Sequence, residues 1–296
     1  MEPTIYWLGV FLAILGGCLN YLALILEKYV INKMPIELKL MKTLIKEPLW
    51  LLTIFIRFGI GPILFIFVQT LIGPAIIPGL MASGLIILAI GSIKILGEKL
   101  NYKEIAAIFV MIIAVTFIGL SGLSIELSEK NLLDPPFLFR MFISTGILVL
   151  IAIIFQIIQE KIPRVKEILL ALISGLMLSL SNFWIIPFIG SLGNMFGGTF
   201  YIEIFLLFII SCIILITANI FGIIKMSQAF RSGKASFLVP IQNVPIQITP
   251  SILYFFVFMM IISRMMSVIF FVIGVTLIIS SSFILGKRQT QIEQIN

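Results

Sequence analysis

Apolar runs of about 20 residues, the length a helix needs to cross the ~30 Å hydrocarbon core of a bilayer, succeed one another along the chain with short polar or Pro/Gly-rich breaks between them. The pattern predicts nine such helices: Ile5–Leu26, Pro48–Thr70, Pro74–Leu96, Ile105–Leu123, Phe137–Gln159, Ile168–Pro187, Ile202–Ile224, Ala235–Met259 and Met266–Leu285. The first run has no basic segment before it and is too long for the apolar part of a cleaved leader, so it reads as an uncleaved anchor. The expected fold class is all-α, a polytopic membrane helix bundle.

One segment breaks the pattern. Pro35–Glu47 is too polar to span, but Leu38, Met41 and Ile45 recur at helical spacing with Lys39, Lys42 and Lys46 on the other side. That arrangement predicts an amphipathic helix lying on an anionic membrane surface.

Composition sharpens this picture. The 296 residues are 60% hydrophobic and 11% charged, with mean hydropathy +1.22, which is far from a soluble domain. The chain has no histidine, so His-based metal sites, proton relays and nucleophile pairs are excluded. Cys18 and Cys212 are distant in sequence and make no disulfide framework. The net charge of +7 forms no basic-aromatic face for nucleic acid. Instead, Lys and Arg gather at alternate span ends: Lys28, Lys33, Lys94, Arg164, Arg231 and Lys287 fall on one side, and Lys130, Arg140 and Arg264 on the other. By the positive-inside rule the N-terminus is outside and the C-terminus cytoplasmic, in a multi-pass protein of the plasma membrane.

The spans also repeat. Setting Pro78 against Pro240 aligns "TLIGPAIIPGLMASG" with "SGKASFLVPIQNVPI" and brings the flanking spans into register at a constant shift of 162 residues. An odd number of spans separates the copies, so the repeat is inverted. Residues 1–126, with a linker at 27–47, form the expected first repeat, and 137–290 the second. Paired inverted repeats with Pro-interrupted helices are the pattern of secondary transporters, whose substrate sites lie near the membrane midplane. Pro78, Pro240 and Pro245 are the expected helix breaks, each freeing a carbonyl that protein, water or ligand must satisfy; ordinary packing kinks are the alternative.

The runs "IKEPLWLLTIF", "AIIPGLMASG" and "LGEKLNYKEIAAIFVMIIAVTFIGLSG", and later "MSQAFRSGKASFLVPI" and "FFVIGVTLIISS", resemble the drug/metabolite transporter superfamily in its EamA-like form, over nearly the whole chain. The resemblance implies two inverted repeats and a transport function. The nine-span plan with "P-L-W" opening a helix is similar to the NIPA-type magnesium transporters. Where that group carries an acidic residue before the first proline motif, this chain has Gly61. Divalent-cation transport is therefore the alternative, not the leading expectation.

Polar groups deep in spans are the candidate substrate contacts, since burying them is costly without a use. Arg57, well inside the second span, suits an anionic group, with snorkelling or a carbonyl partner as its alternative role. Gln242, Asn243 and Gln247 come after the proline of the second repeat. Asn219, the counterpart of Arg57 by the repeat shift, and Asn182, Asn20 and Ser83 complete the set. Each amide serves equally as interhelical glue. The acids Glu27, Glu98, Glu160 and Glu203 all fall at the ends of the predicted spans, which argues against a dedicated Mg²⁺ site and against carboxylate proton relays. An enzyme acting on a lipid would need acidic or histidine motifs that the chain lacks. The expectation is a transporter of a small anionic or zwitterionic metabolite, not an enzyme, with no cofactor. Its partners are the substrate and the lipid bilayer, with no nucleic acid and with homodimerisation left open.

Overall fold

A computed structural model describes residues 3–35, 40–72, 77–98, 100–121, 133–196, 201–259 and 265–293. Among them every regular element is helical: α1 (Pro3–Asn32), α2 (Leu40–Leu44), α3 (Pro48–Phe55), a π-helical turn (Ile56–Ile60), α4 (Gly61–Ile72), α5 (Ile77–Ala82), α6 (Leu85–Lys94), α7 (Tyr102–Leu120), α8 (Pro135–Lys161), a 3-10 turn (Pro163–Val165), α9 (Lys166–Phe196), α10 (Ile202–Phe230), α11 (Ala235–Phe258) and α12 (Met265–Glu293). In hydrocarbon a helix satisfies its backbone polar groups within the segment, which is why apolar runs of this length adopt it. Proline opens α3 and α8 at positions where no intrahelical N–H bond is lost.

Five stretches are long and apolar enough to cross a membrane: Ile5–Asn32, Pro48–Phe65, Pro135–Lys161, Pro163–Met195 and Ile202–Ala229. Each overlaps one of the expected spans. The other expected spans contain helix but do not meet that measure among the described residues. The run beginning at Pro74 is divided into α5 and α6 by a turn at Ser83 and Gly84. Of the sequence landmarks, Leu38, Lys39, Pro74, Lys130 and Arg264 lie outside the described residues. In the described part of the amphipathic segment, Leu40 and Leu44 of α2 are buried, whereas Met41 of the expected apolar face is half-buried and Ile45 is exposed, as are Lys42 and Lys46.

By compactness the chain divides into two units. The first comprises Met1–Ser124, Ser227–Ile241 and Ile262–Asn296; the second comprises Ile125–Met226 and Gln242–Ile261.

In the first unit α1 packs against α3, α4, α5 and α6. Ala13 of α1 meets Val68 of α4 and Ile77 of α5 in one cluster. The approach of α1 to the α5–α6 turn is a backbone contact: a Cβ on Gly17 would stand 2.2 Å from the Met81 carbonyl oxygen, and one on Gly84 would stand 2.5 Å from the Gly17 carbonyl. Only glycine fits both positions. α7 and α12 run antiparallel, tied by Ser281 Oγ donating to the Ala107 carbonyl at 2.6 Å and by the Phe117 and Phe270 rings at 5.7 Å.

In the second unit α9 is the buried helix. Its Trp184, fully buried, packs with Phe137, Met141, Leu253 and Val257 in the core. The indole Nε1 donates to Thr145 Oγ1 of α8 at 2.9 Å. This aromatic side chain is a core residue with a satisfied donor.

The expected helix breaks take different forms. Pro78 is the second residue of α5, where a missing N–H is harmless, and the interruption falls later, at Ser83 and Gly84. There, Ser83 Oγ donates to the Leu80 carbonyl at 2.6 Å, and the Gly84 N–H reaches the Met81 carbonyl at 3.0 Å. By contrast α11 is continuous through Pro240 and Pro245. Each proline removes a single ladder bond, and in a packed membrane helix that loss is tolerated when neighbouring groups take up the freed carbonyl.

A buried charge cluster as the candidate functional site

The last two turns of α1 carry Glu27 and Lys28 in succession, and both are buried, at 0% and 5% exposure. The apolar run of the first expected span ends at Leu26, which puts Glu27 at its edge. The helix instead continues to Asn32, because Tyr29, Val30 and Ile31 supply another apolar turn beyond the charges. Glu27 thus lies near the end of its helix, where the sequence places it, and is nevertheless buried within the first unit.

Arg57 lies on the π-helical turn between α3 and α4. Gly61 donates its N–H to the Ile56 carbonyl, five residues back rather than four. The wider turn comes just before Pro62, whose missing N–H prevents the regular ladder from continuing unchanged. Arg57 Nη1 donates to Glu27 Oε2 at 2.8 Å, with side-chain exposures of 6% and 0%. The other carboxylate oxygen, Glu27 Oε1, accepts a hydrogen bond from Ser227 Oγ near the end of α10 at 2.7 Å. Burying two ions costs several kcal/mol each, and such a pair persists only where attraction and hydrogen bonds offset that cost.

Not every donor in the cluster is used. Arg57 Nε is buried with no hydrogen-bond partner among the described residues, whereas the buried Trp50 indole faces the Glu27 carboxylate and favours its charge, outside strict hydrogen-bond geometry. An unsatisfied buried donor costs about 1–3 kcal/mol. Arg57 Nε is thus a donor that a further acceptor would satisfy.

Two more charges complete the cluster. Lys28 donates to the Phe230 carbonyl at the end of α10, and Glu98 acts on its charge. Glu98 comes directly after Gly97, whose φ of +68° turns the chain after α6. Its carboxylate accepts from the Ala235 N–H at 2.7 Å, the Ser236 N–H at 3.1 Å and Ser236 Oγ at 2.6 Å. These are orphan donors at the start of α11, and a carboxylate there also complements the helix dipole.

The other sequence candidates are distributed elsewhere. Gln242, buried, donates from Nε2 to Ser174 Oγ at 2.7 Å, and Ser174 donates to the Gly222 carbonyl at 2.7 Å, so this amide ties α11 through α9 to α10. Asn219 Nδ2 donates to Ser181 Oγ at 2.7 Å and to the Leu215 carbonyl at 2.9 Å. Both are interhelical ties of the second unit. Asn243 and Gln247 are half-buried and each has a partner. Asn182 is exposed, and Asn20 and Ser83 are half-buried. Of the named candidates, only Arg57 joins the charge cluster.

Glu27, Lys28, Glu98 and Ser227 were not among the sequence candidates. One signal was available: a Glu-Lys pair continued at once by an apolar turn implies that the helix carries its charges inward. Among the described residues no group of three or more acidic, cysteine or histidine side chains is placed to hold a metal ion. No protein-family model, characterised protein or solved structure matches the chain.

Proposed function

We propose that the protein is a secondary transporter of a small anionic or zwitterionic metabolite, and that Arg57 and Glu27 are its charge-recognising residues. The observation that carries this reading is the buried Arg57–Glu27 pair with an unused donor, Arg57 Nε, beside it. A purely structural pair gains nothing from orphan donors. A substrate carboxylate would satisfy Arg57 Nε, and the ammonium of a zwitterion would take the place of Arg57 on Glu27. Splitting and remaking the pair gives a site with two arrangements of similar charge balance, which is what alternating access requires of a binding locus. The sequence supports the same reading through its resemblance to the drug/metabolite transporters. Nine spans in two inverted repeats, an outside N-terminus and a plasma-membrane location belong to this proposal. The divalent-cation alternative has no observation among the described residues in its favour.

The test is thermal unfolding of the purified protein in detergent against amino acids, dicarboxylates, organic cations and Mg²⁺. The parent is compared with Arg57→Gln and Glu27→Gln. A ligand that binds only the folded state stabilises it by RT ln(1 + [L]/Kd), about 2.7 kcal/mol at a hundredfold excess over Kd. Anions or zwitterions should stabilise the parent and not Arg57→Gln, and only zwitterions should lose their effect in Glu27→Gln. Stabilisation by Mg²⁺ alone, unchanged in both variants, would overturn the reading.

A further inference from the structure

The second unit contains an open, almost wholly apolar groove of about 450 Å³. One wall is the face of α8 from Ser144 to Phe155, the other is the face of α11 from Val244 to Phe256, and Leu172 and Leu176 of α9 form the floor. The hydroxyl of Ser144 is already spent on the Arg140 carbonyl, at 2.8 Å. The groove therefore offers little to a polar solute. Along α8 it extends about 16 Å at the helical rise of ~1.5 Å per residue, which is roughly half of a ~30 Å hydrocarbon core. That is the depth of one leaflet, and hence the length of one acyl chain.

Arg140 stands one turn beyond Ser144, at the end of the groove nearer the start of α8. Its Nε donates to the Val257 carbonyl at 3.0 Å, at the C-terminal end of α11, where helix carbonyls lack intrahelical partners. The backbone turns away there, with Met259 at φ +48°. The two Nη groups of Arg140 have no hydrogen bond or ion pair among the described residues. A half-buried guanidinium with free donors thus closes one end of a leaflet-deep apolar slot.

We infer that this groove is a binding site for an anionic phospholipid, with one acyl chain between α8 and α11 and the phosphate on the Nη groups of Arg140. Charge complementarity selects the headgroup, and the dimensions of the slot select the chain. The site lies in the second unit and does not depend on which solute the Arg57–Glu27 cluster takes.

Native mass spectrometry of the detergent-purified protein tests it, with phosphatidylglycerol and phosphatidylcholine of matched acyl chains and glycerol 3-phosphate as the headgroup alone. The parent should retain phosphatidylglycerol about tenfold better than phosphatidylcholine, because both present a phosphate to Arg140 but the choline cation of the second offsets its charge. Arg140→Gln should erase that preference, and Arg140→Lys should restore part of it. Ile248→Trp, which fills the groove, should lower retention of both lipids; Ile252→Phe serves if that variant fails to fold. An unchanged preference in Arg140→Gln would overturn the proposal, as would equal retention of glycerol 3-phosphate, which would mark a free-anion site. Groove-filling variants that shift the protein from dimer to monomer without altering lipid retention would assign the groove to a second copy of the chain instead.

Discussion

At Arg57 and Glu27 the energetics are those of two ions that each make the other tolerable. Removing one partner strands the other in a low-dielectric setting, at a cost of about 3–5 kcal/mol. Removing both leaves two neutral amides that can bond to each other and to Ser227. Arg57→Gln and Glu27→Gln should therefore each destabilise strongly, and the double variant should be less destabilised than the sum of the two, by the coupling energy of the pair. Equilibrium unfolding of all four proteins in mixed micelles checks this, and additive losses would show that the 2.8 Å contact contributes nothing. Arg57 was legible in the sequence because a guanidinium so far inside an apolar run has no easy route to water. Its partner was not, since the 30 residues between them fold back and place the end of α1 beside the π-helical turn, and no local pattern encodes that return.

Helix contacts obey a different constraint, since lipid tails are as apolar as leucine and close approach must come from small residues. Gly17 and Gly84 bring α1 and the α5–α6 turn to backbone contact. Gly84→Ala places a methyl 2.5 Å from the Gly17 carbonyl carbon, and overpacking of this kind costs about 1–3 kcal/mol. Gly146 of α8 is the internal control, because a Cβ there meets nothing within 4 Å. Gly146→Ala should be neutral or stabilise by up to about 1 kcal/mol through helix propensity. Thermal unfolding of both variants separates contact from propensity, and equal effects would refute the close approach. The prolines show the limit of reading at this scale. Matched prolines suggested matched breaks, but Pro78 sits at the start of a short helix whereas Pro240 and Pro245 lie within a long one. The residues on the C-terminal side of each proline decide the outcome: Ser83 and Gly84 can turn the chain, while the apolar and amide residues after Pro240 continue the helix.

For the whole molecule, the distribution of Lys and Arg across the span ends carries a topology that labelling can read. In a background with Cys18 and Cys212 replaced by serine, Lys166→Cys and Tyr201→Cys introduce single thiols at exposed positions, one at the start of α9 and the other just before α10. With the N-terminus outside, a membrane-impermeant maleimide should modify Tyr201→Cys in intact cells and reach Lys166→Cys only after permeabilisation. The reverse pattern would invert the orientation. Chain composition and 20-residue periodicity determined by themselves that this is an all-helical protein with several membrane-spanning lengths, because in hydrocarbon the backbone has almost no other way to satisfy its polar groups. Tertiary structure alone decided which helices group into which compact unit, that Glu27 rather than solvent faces Arg57, and that α8 and α11 leave a groove with an arginine at its end. Those outcomes depend on contacts between residues far apart in sequence, and helical periodicity reports only which face of a segment is apolar, not which neighbour that face will meet.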